Sequence, residues 1–249
     1  MMIPKVIHYC WFGGKPLPEL AVKCIKSWKK FLPDYEIKEW NEQNFDVNIN
    51  SYTREAYKAK KYAFVSDFAR FWILYHHGGL YFDVDVEVIK PLDKIIAEGP
   101  FLGCEGDASH DVLKLGINPG LGFSAYIHHP FIKEIIEVYS HLHFFNEDGS
   151  SNLKTIVEYT TELLCKYGLE CVDGIQDCAG FRIYPKEYFC PKDLSTRKIV
   201  LTDKSYTIHH FDGSWTSKSI RRRQNIKEKL NPSLVRLIQY FHAQIKKHL

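Results

Sequence analysis

The stretch LYFDVDVEVI, residues 80–89, alternates between apolar and polar side chains with a period of two. This is the pattern of a half-buried β-strand. One face would carry Phe82, Val84, Val86 and Val88. The other face would carry Tyr81, Asp83, Asp85 and Glu87. Three carboxylates on one face repel each other unless a cation lies among them, and divalent metals take carboxylate oxygens. From this stretch alone, a metal site and a solvated acidic edge strand are equally good interpretations.

The segments before this stretch predict an α/β sheet, because a strand–helix–strand order favours parallel strands. The expected elements are strands over 3–12 and 35–40 and helices over 19–31, 51–61 and 64–77. Gly78 and Gly79 would end the third helix. Ligands of open α/β sheets bind at the carboxyl ends of strands, so the position of the acidic strand directly after a helix favours a binding site.

The second half of the chain has a looser pattern. We expect strands near 101–106, 181–191 and 206–211, a glycine-rich loop and strand over 116–125, and helices over 129–142, 152–167 and 232–249. Seven scattered cysteines without a C-x-x-C pair indicate reduced thiols, and therefore a cytoplasmic setting. No apolar run approaches the length of a membrane span, and the N-terminus lacks a signal-peptide layout.

The third helix carries an acid and a base on one face. Asp67 and Arg70 are three residues apart, which places them side by side. Their neighbours Phe64, Phe68, Phe71, Trp72 and Leu74 make the helix apolar nearly all round, as in a buried helix. An exposed ion pair of little energy is the alternative. Because the helix leads directly into the acidic strand, the interpretation as a functional pair is favoured.

The charges are unevenly distributed. From residue 218 to the end there are nine Lys or Arg residues and one acid, Glu228. We therefore expect a main domain over 1–217 and a basic helical tail over 218–249. The tail either docks on the core or attaches to the anionic inner face of the cytoplasmic membrane. We expect no nucleic-acid partner.

The run SDFARFWILYHHGGLYFDVDVEVIKPLD, residues 66–93, resembles the S-D-x-x-R…G-G-x-Y-x-D-x-D block of glycosyltransferase family 32. IPKVIHYCWFGG (3–14) resembles the first strand of that family, and YTIHHFDGSW (206–215) resembles its C-terminal segment. The resemblance implies a GT-A fold with a mixed, mainly parallel sheet, a nucleotide-sugar donor, Mn²⁺ or Mg²⁺, and retention of anomeric configuration. A UDP-sugar is the favoured donor, with GDP-mannose as the alternative, and the acceptor is a surface glycan or a lipid-linked saccharide.

The resemblance also implies roles for individual residues. Asp83 and Asp85 match the two motif aspartates that hold the metal, and Asp67 and Arg70 match residues that grip the donor sugar. The residues implied to contact the donor also include Tyr9, Trp11, Phe12, Tyr81, Asn118, Ser214 and Trp215.

A further ligand, for the metal or for the diphosphate, is expected from the C-terminal segment. His210 is our first choice and His209 the second, with a packed strand histidine as the alternative for either. Glu87 is interpreted as a supporting residue. Two other functions are weighed. A D-x-D phosphatase would carry its motif on the first strand, with Thr or Val where this chain has Glu87. A non-catalytic sugar-binding module would not need all of Asp67, Arg70, Asp83 and Asp85.

Overall fold

Most of the predicted elements are present in the predicted order, and three short ones, over 93–97, 176–178 and 186–189, were not predicted. The structure is a computed structural model of the 249-residue chain, and it describes residues 2–109, 111–193 and 196–212. The strands are β1 (Val6–Cys10), β2 (Glu36–Trp40), β3 (Gly79–Tyr81), β4 (Val86–Val88), β5 (Phe101–Gly103), β6 (Phe123–Ala125), β7 (Gln176–Cys178), β8 (Phe181–Tyr184) and β9 (Thr207–His209). The helices are α1 (Glu19–Phe31), α2 (Ser51–Lys58), α3 (Tyr62–His77), α4 (Asp93–Ala97), α5 (Pro130–Ser140), α6 (Ile156–Cys165) and α7 (Lys186–Phe189).

The central sheet has the strand order β2-β1-β3-β6. Strand β1 is parallel to both β2 and β3, and β6 is antiparallel to β3. The predicted α/β class with a mixed, mainly parallel central sheet is therefore confirmed. Two smaller sheets accompany it, the pair β4-β9 and the three-stranded sheet β5-β8-β7. The predicted boundary at residue 217 and the helix over 232–249 lie outside the described residues.

Helices cover both faces of the central sheet. Along β1, Ile7 and Tyr9 belong to one apolar cluster, which includes residues of α1, whereas Cys10 belongs to the other, which includes residues of α2, α3 and α5. Strand β3 divides in the same way, since Leu80 packs with the α1 cluster and Tyr81 with the α3 cluster. This alternation is what a strand with both faces buried requires.

The acidic stretch is not a single strand, so that part of the prediction is wrong. Strand β3 ends at Tyr81, the chain turns at Val84 and Asp85, and β4 begins at Val86. The N–H of Val86 donates to the carbonyl of Asp83 at 3.0 Å, which closes the turn. The two strands then join different partners, β3 in the central sheet and β4 with β9. An alternating pattern predicts which residues are extended, but it does not show where a turn interrupts the ladder.

Two helix boundaries also differ from the prediction for local reasons. Helix α2 ends at Lys58, because Lys60 takes a positive φ of 58° and breaks the turn before α3 begins. Helix α6 begins at Ile156, later than expected, because Thr155 caps it. The Thr155 hydroxyl accepts from the N–H of Glu158, and the Glu158 carboxylate accepts from the N–H of Thr155, which is the capping-box arrangement.

The glycines after α3 allow the helix to end directly against the sheet. Gly79 has a φ of 96°, and a Cβ at this position would lie 2.5 Å from the carbonyl oxygen of Val6. Only glycine permits both the conformation and the approach. The seven cysteines are all free thiols, in line with the prediction. Among the described helices, the longest has 16 residues, and none is long and apolar enough to cross a bilayer.

Helix α1 packs on β4 through side-chain hydrogen bonds to the strand backbone. The fully buried indole of Trp28 donates from Nε1 to the carbonyl of Val86 at 2.7 Å. The hydroxyl of Ser27 accepts from the N–H of Val88 at 2.9 Å. These bonds satisfy the edge of β4 that faces away from β9, so α1 fixes the strand that follows the acidic turn.

Replacing Trp28 by Phe tests this packing. The change removes the indole N–H and leaves the Val86 carbonyl buried without its partner, so we expect a loss of about 2 kcal/mol or more in the free energy of unfolding. Urea unfolding followed by circular dichroism measures it. Trp72→Phe, at a partly exposed tryptophan of α3, is the matched control. Equal losses for the two variants would contradict the assigned role of Trp28.

Candidate active site

The turn between β3 and β4 brings two carboxylates to one histidine. One ligand atom each from Asp83, Asp85 and His209 lie within 4.8 Å of one another. His209 reaches the turn because β9 pairs antiparallel with β4, with His209 opposite Val86. The three side chains therefore come from two segments more than 120 residues apart in sequence and meet at the carboxyl end of β3, where ligands of α/β sheets bind.

The guanidinium of Arg70 contacts the carboxylate of Asp83, the first aspartate of the turn. Its Nη2 lies 2.9 Å from Asp67 Oδ1 and 3.2 Å from Asp83 Oδ1. Its Nε donates to the carbonyl of Ser66 at 3.1 Å, and its guanidinium lies over the ring of Tyr81 at 5.0 Å. Arg70 is buried with only 3% of its surface exposed. Its N–H groups are therefore directed to protein atoms, and the side chain holds Asp67 and Asp83 in position.

The positive charge of Arg70 does not fully compensate the two carboxyl groups beside it, those of Asp67 and Asp83. Burial raises the pKa of Asp67 to about 7, although the charge of Arg70 opposes this shift. Burial also raises the pKa of Asp83, again against the influence of Arg70. One buried guanidinium thus serves the buried carboxyl group of Asp67 and the half-buried one of Asp83, and a further cation at this place would stabilise their ionised forms.

The second aspartate is held by the C-terminal segment. His209 Nε2 lies 3.1 Å from Asp85 Oδ1, and the N–H of Asp212 donates to Asp85 Oδ2 at 2.9 Å. Burial alone would raise the pKa of Asp85, but His209 and this N–H outweigh it and hold the pKa well below its usual range. Burial alone would lower the pKa of His209, and the carboxylate of Asp85 instead raises it. The Nδ1 atom of His209 is buried without a hydrogen-bond partner among the described residues.

His210, our first choice from the sequence, points elsewhere. Its Nε2 lies 2.8 Å from Glu87 Oε2, and the same oxygen accepts from Lys23 Nζ at 2.8 Å. The structure therefore brings His209 to the aspartates and places His210 in a separate group with Glu87. The distinction follows from the register of β9, because neighbouring residues of a strand point to opposite faces. Glu87 supports this segment rather than the aspartates.

A short turn from the glycine-rich loop lies against Asp83. Asn118 Oδ1 accepts from the N–H of Gly120 at 2.7 Å, and Asn118 Nδ2 donates to Glu105 Oε2 at 2.7 Å. A Cβ on Gly120 would lie 2.3 Å from Asp83 Oδ2, so this position admits only glycine without a shift of the neighbouring atoms. Asn118 does reach the site, but its amide orients this turn.

The described aromatic residues that were expected to contact the donor lie in three different environments. Tyr9 is buried and donates from its hydroxyl to Glu39 Oε2 at 2.6 Å, and Phe12 is buried against Phe45. Tyr81 is also buried, and its hydroxyl donates to Asp83 Oδ1 at 3.2 Å. Trp11 is the partly exposed member of the set. Tyr9 and Phe12 therefore belong to the core, Tyr81 supports Asp83, and Trp11 offers a ring for stacking.

Residues that the sequence did not single out fix the position of His209. Lys192 Nζ donates to the carbonyl of His210 at 2.7 Å, and Arg197 Nη2 donates to the carbonyl of Phe211 at 3.1 Å. Glu105, which holds Asn118, was also missed. For Glu105, the sequence signals only the glycine-rich loop that it contacts. Lys192 and Arg197 have no signal in the sequence, because contacts with distant backbone carbonyls leave no periodic pattern. Ser214 and Trp215 lie outside the described residues.

The chain matches known proteins over its first half. Residues 18–102 match the family model described as a glycosyltransferase sugar-binding region containing a DXD motif. Inositol phosphoceramide mannosyltransferase 1 of Schizosaccharomyces pombe is 32% identical over 111 residues, which cover 40% of this chain and 33% of that protein. The initiation-specific alpha-1,6-mannosyltransferase of Candida albicans is 29% identical over 109 residues, covering 40% and 28%. The matches thus span about a third of the length of these relatives.

Solved glycosyltransferase structures are similar at lower identity. A glycosyltransferase involved in glycosylation of the major capsid of the virus PBCV-1 has 13% identity and a TM-score of 0.48, covering 89% of this chain and 98% of that chain. The PaToxG glycosyltransferase has 18% identity and a TM-score of 0.48, covering 66% and 69%. The DXD motif of the matched segment is Asp83–Val84–Asp85, at the turn described above. Residues 18–102 of this chain are therefore similar to glycosyltransferase sugar-binding regions containing a DXD motif.

Proposed function

We propose that this protein is a metal-dependent, retaining glycosyltransferase that moves a hexose from a nucleotide sugar to a glycan or lipid-linked acceptor. The observation that carries the proposal is the meeting of Asp83, Asp85 and His209 within 4.8 Å, beside a buried arginine that braces the first aspartate. The DXD family match and the carboxyl-end position of the site support it.

The donor set fits a divalent cation. Two carboxylates and one imidazole are ligands that Mn²⁺ accepts, and Mg²⁺ accepts the carboxylates. The raised pKa values of Asp67 and Asp83 are consistent with a cluster that needs more positive charge. We assign the ligand role to Asp83, Asp85 and His209. A bound cation would neutralise the diphosphate of the donor and so make it a better leaving group.

The remaining residues of the site position the ligands and the donor. Arg70 keeps Asp83 in place and is itself neutralised by Asp67. The turn at Gly120, oriented by Asn118, fixes the other side of the Asp83 carboxylate. Trp11 is the candidate for stacking on the nucleotide base, since aromatic rings stack well on planar bases. Ser214 and Trp215 remain predicted donor contacts, implied by the resemblance alone.

The donor and the cellular location are narrower proposals. Two of the relatives described above are named mannosyltransferases, so GDP-mannose joins the UDP-sugars as a donor to test. Attachment of the basic tail to the anionic inner face of the cytoplasmic membrane stays a prediction, because the tail lies outside the described residues.

The experiment that tests the function is release of nucleoside diphosphate from a panel of UDP- and GDP-sugars with Mn²⁺ or with EDTA. Absence of metal-dependent binding and release with every donor would refute the proposal.

Replacing Asp85 by Asn separates the metal role from folding. The amide keeps the shape of the side chain but loses its charge, so we expect metal-dependent release of nucleoside diphosphate to fall about 100-fold or more. Asp34→Asn, which removes only a surface ion pair with Lys5, is the control and should keep full activity. Normal turnover by Asp85→Asn would show that the site is wrongly assigned.

The neighbouring histidines provide a matched pair of variants. His209→Ala removes a proposed ligand, and we expect the Kd for Mn²⁺ to rise about tenfold or more. His210→Ala removes only the contact with Glu87 and should change the Kd much less. Titration calorimetry with Mn²⁺ measures both. A larger effect from His210→Ala would reverse the assignment of the third ligand.

A further inference from the structure

An open cavity lies between α3 and α5, next to the start of α2. Its volume is about 520 Å³, which is within the range of pockets that bind small molecules. Helix α3 lines it with Phe68, Trp72 and Tyr75, and α5 lines it with Lys133 and Glu137. Two helices and the start of a third thus form a concave surface of the size that a small ligand needs.

The cavity and the proposed metal site lie on different sides of α3. Successive residues of an α-helix are turned by about 100°. The cavity row at 68, 72 and 75 therefore forms one face of α3, while Asp67 and Arg70 lie on another. A ligand in the cavity would leave the DXD turn unoccupied.

The aromatic rings of the cavity are held in place by other rings. Trp72 packs edge-on against Phe45, with centroids 5.5 Å apart, and lies 4.5 Å from the ring of His76. Tyr75 packs edge-on against His76 at 5.2 Å. Trp72 and Tyr75 are both partly exposed. Because the face of an aromatic ring is electron-rich, these two rings offer a fixed surface for C–H groups.

Polar groups of the cavity lack partners within the described chain. Asn50 caps α2 with its Oδ1, which accepts from the N–H of Thr53 at 2.8 Å. Its Nδ2 is buried and has no hydrogen-bond partner among the described residues. Lys133 and Glu137 are one helical turn apart, yet their charged groups form no ion pair or hydrogen bond within the described ranges. Since buried donors are nearly always paired in folded proteins, Asn50 Nδ2 indicates an acceptor from outside the chain.

The charges of the lining distinguish between classes of ligand. The lining contains one cationic side chain, Lys133, and one anionic side chain, Glu137. His76 also lines the cavity, and burial lowers its pKa, with the neighbouring His128 acting in the same direction. A nucleotide or phosphate would require an excess of positive charge, and a purely apolar ligand would leave the polar groups unpaired. A neutral ligand with hydroxyl groups and an apolar face matches the lining.

We propose that this cavity is a second saccharide site, which binds a neutral sugar unit outside the proposed transfer centre. The C–H face of the sugar lies on Trp72 and Tyr75. Its hydroxyl groups accept from Asn50 Nδ2 and Lys133 Nζ and donate to the Glu137 carboxylate. The inference goes beyond the proposed function, because saccharide binding at this place does not depend on sugar transfer.

Saturation-transfer NMR titration of the full chain with maltotriose, lactose and mannobiose tests the proposal. EDTA is present and nucleotide is absent, so that donor binding does not contribute. We expect at least one of the three sugars to bind, with a Kd that rises about tenfold or more in the double variant Lys133→Ala, Glu137→Ala, because hydrogen bonds to two charged groups are lost. The control is Lys94→Ala, Glu98→Ala, an exposed pair of the same spacing at α4, and it should bind like the unchanged protein.

Asn50→Asp provides a second test that unfolding does not mimic. Aspartate keeps the oxygen that caps α2 but removes the Nδ2 donor, so we expect unchanged stability and a Kd that rises severalfold. The proposal is overturned if the unchanged protein binds none of the three sugars, or if either variant keeps full affinity. Binding of the apolar dye ANS without any sugar would identify an apolar docking surface and would also overturn it. Release of nucleoside diphosphate, which these variants should retain, tests the proposed function separately.

Discussion

The buried contact of Arg70 with Asp67 and Asp83 is the constraint on which the site depends. A guanidinium that is almost fully buried is costly unless its charge is compensated and its donors are satisfied. Asp67, one turn earlier in α3, and Asp83, just after β3, supply that compensation. The contact therefore joins the helix to the end of the strand and fixes the point at which β3 stops. The turn that follows carries Asp85, whose carboxylate is held instead by His209 and by the N–H of Asp212.

The residues that hold Asp85 come from the C-terminal end of the described chain. Strand β9 pairs with β4, not with the central sheet, and this pairing sets which of two adjacent histidines faces the aspartates. The backbone carbonyls of His210 and Phe211 are held by Lys192 and Arg197, and the backbone of Asp212 contacts Asp85. The proposed metal centre would therefore depend on long-range pairing, since its proposed third ligand, His209, is in place only after β9 has paired with β4.

Much of the first half of the chain could be predicted from local patterns. Helix α1 was placed at its observed bounds, and the parallel pairing of β1 with β2 followed from the strand–helix–strand order. The pair Asp67 and Arg70 was found because i,i+3 spacing and an apolar helix are both local signals. Asp83 and Asp85 were found as an alternating pair, although the strand they were thought to share is interrupted between them. In each case the residues that decide the outcome lie within a few positions of each other.

The rest could not be predicted because it depends on contacts between distant segments. The choice between His209 and His210 depends on strand register, which a single sequence does not reveal. Tyr9 and Phe12 lie close in sequence to the partly exposed Trp11, and only their packing against Trp28 and Phe45 shows that they are core residues. Glu105 and Gly120 matter through the shape of a turn against Asp83. The most direct test of the account is pulsed EPR of Mn²⁺ bound to protein labelled with ¹⁵N-histidine. Coupling to one histidine nitrogen that disappears in His209→Ala is the predicted result, and Mn²⁺ without histidine coupling, or with coupling that persists in His209→Ala, would contradict it.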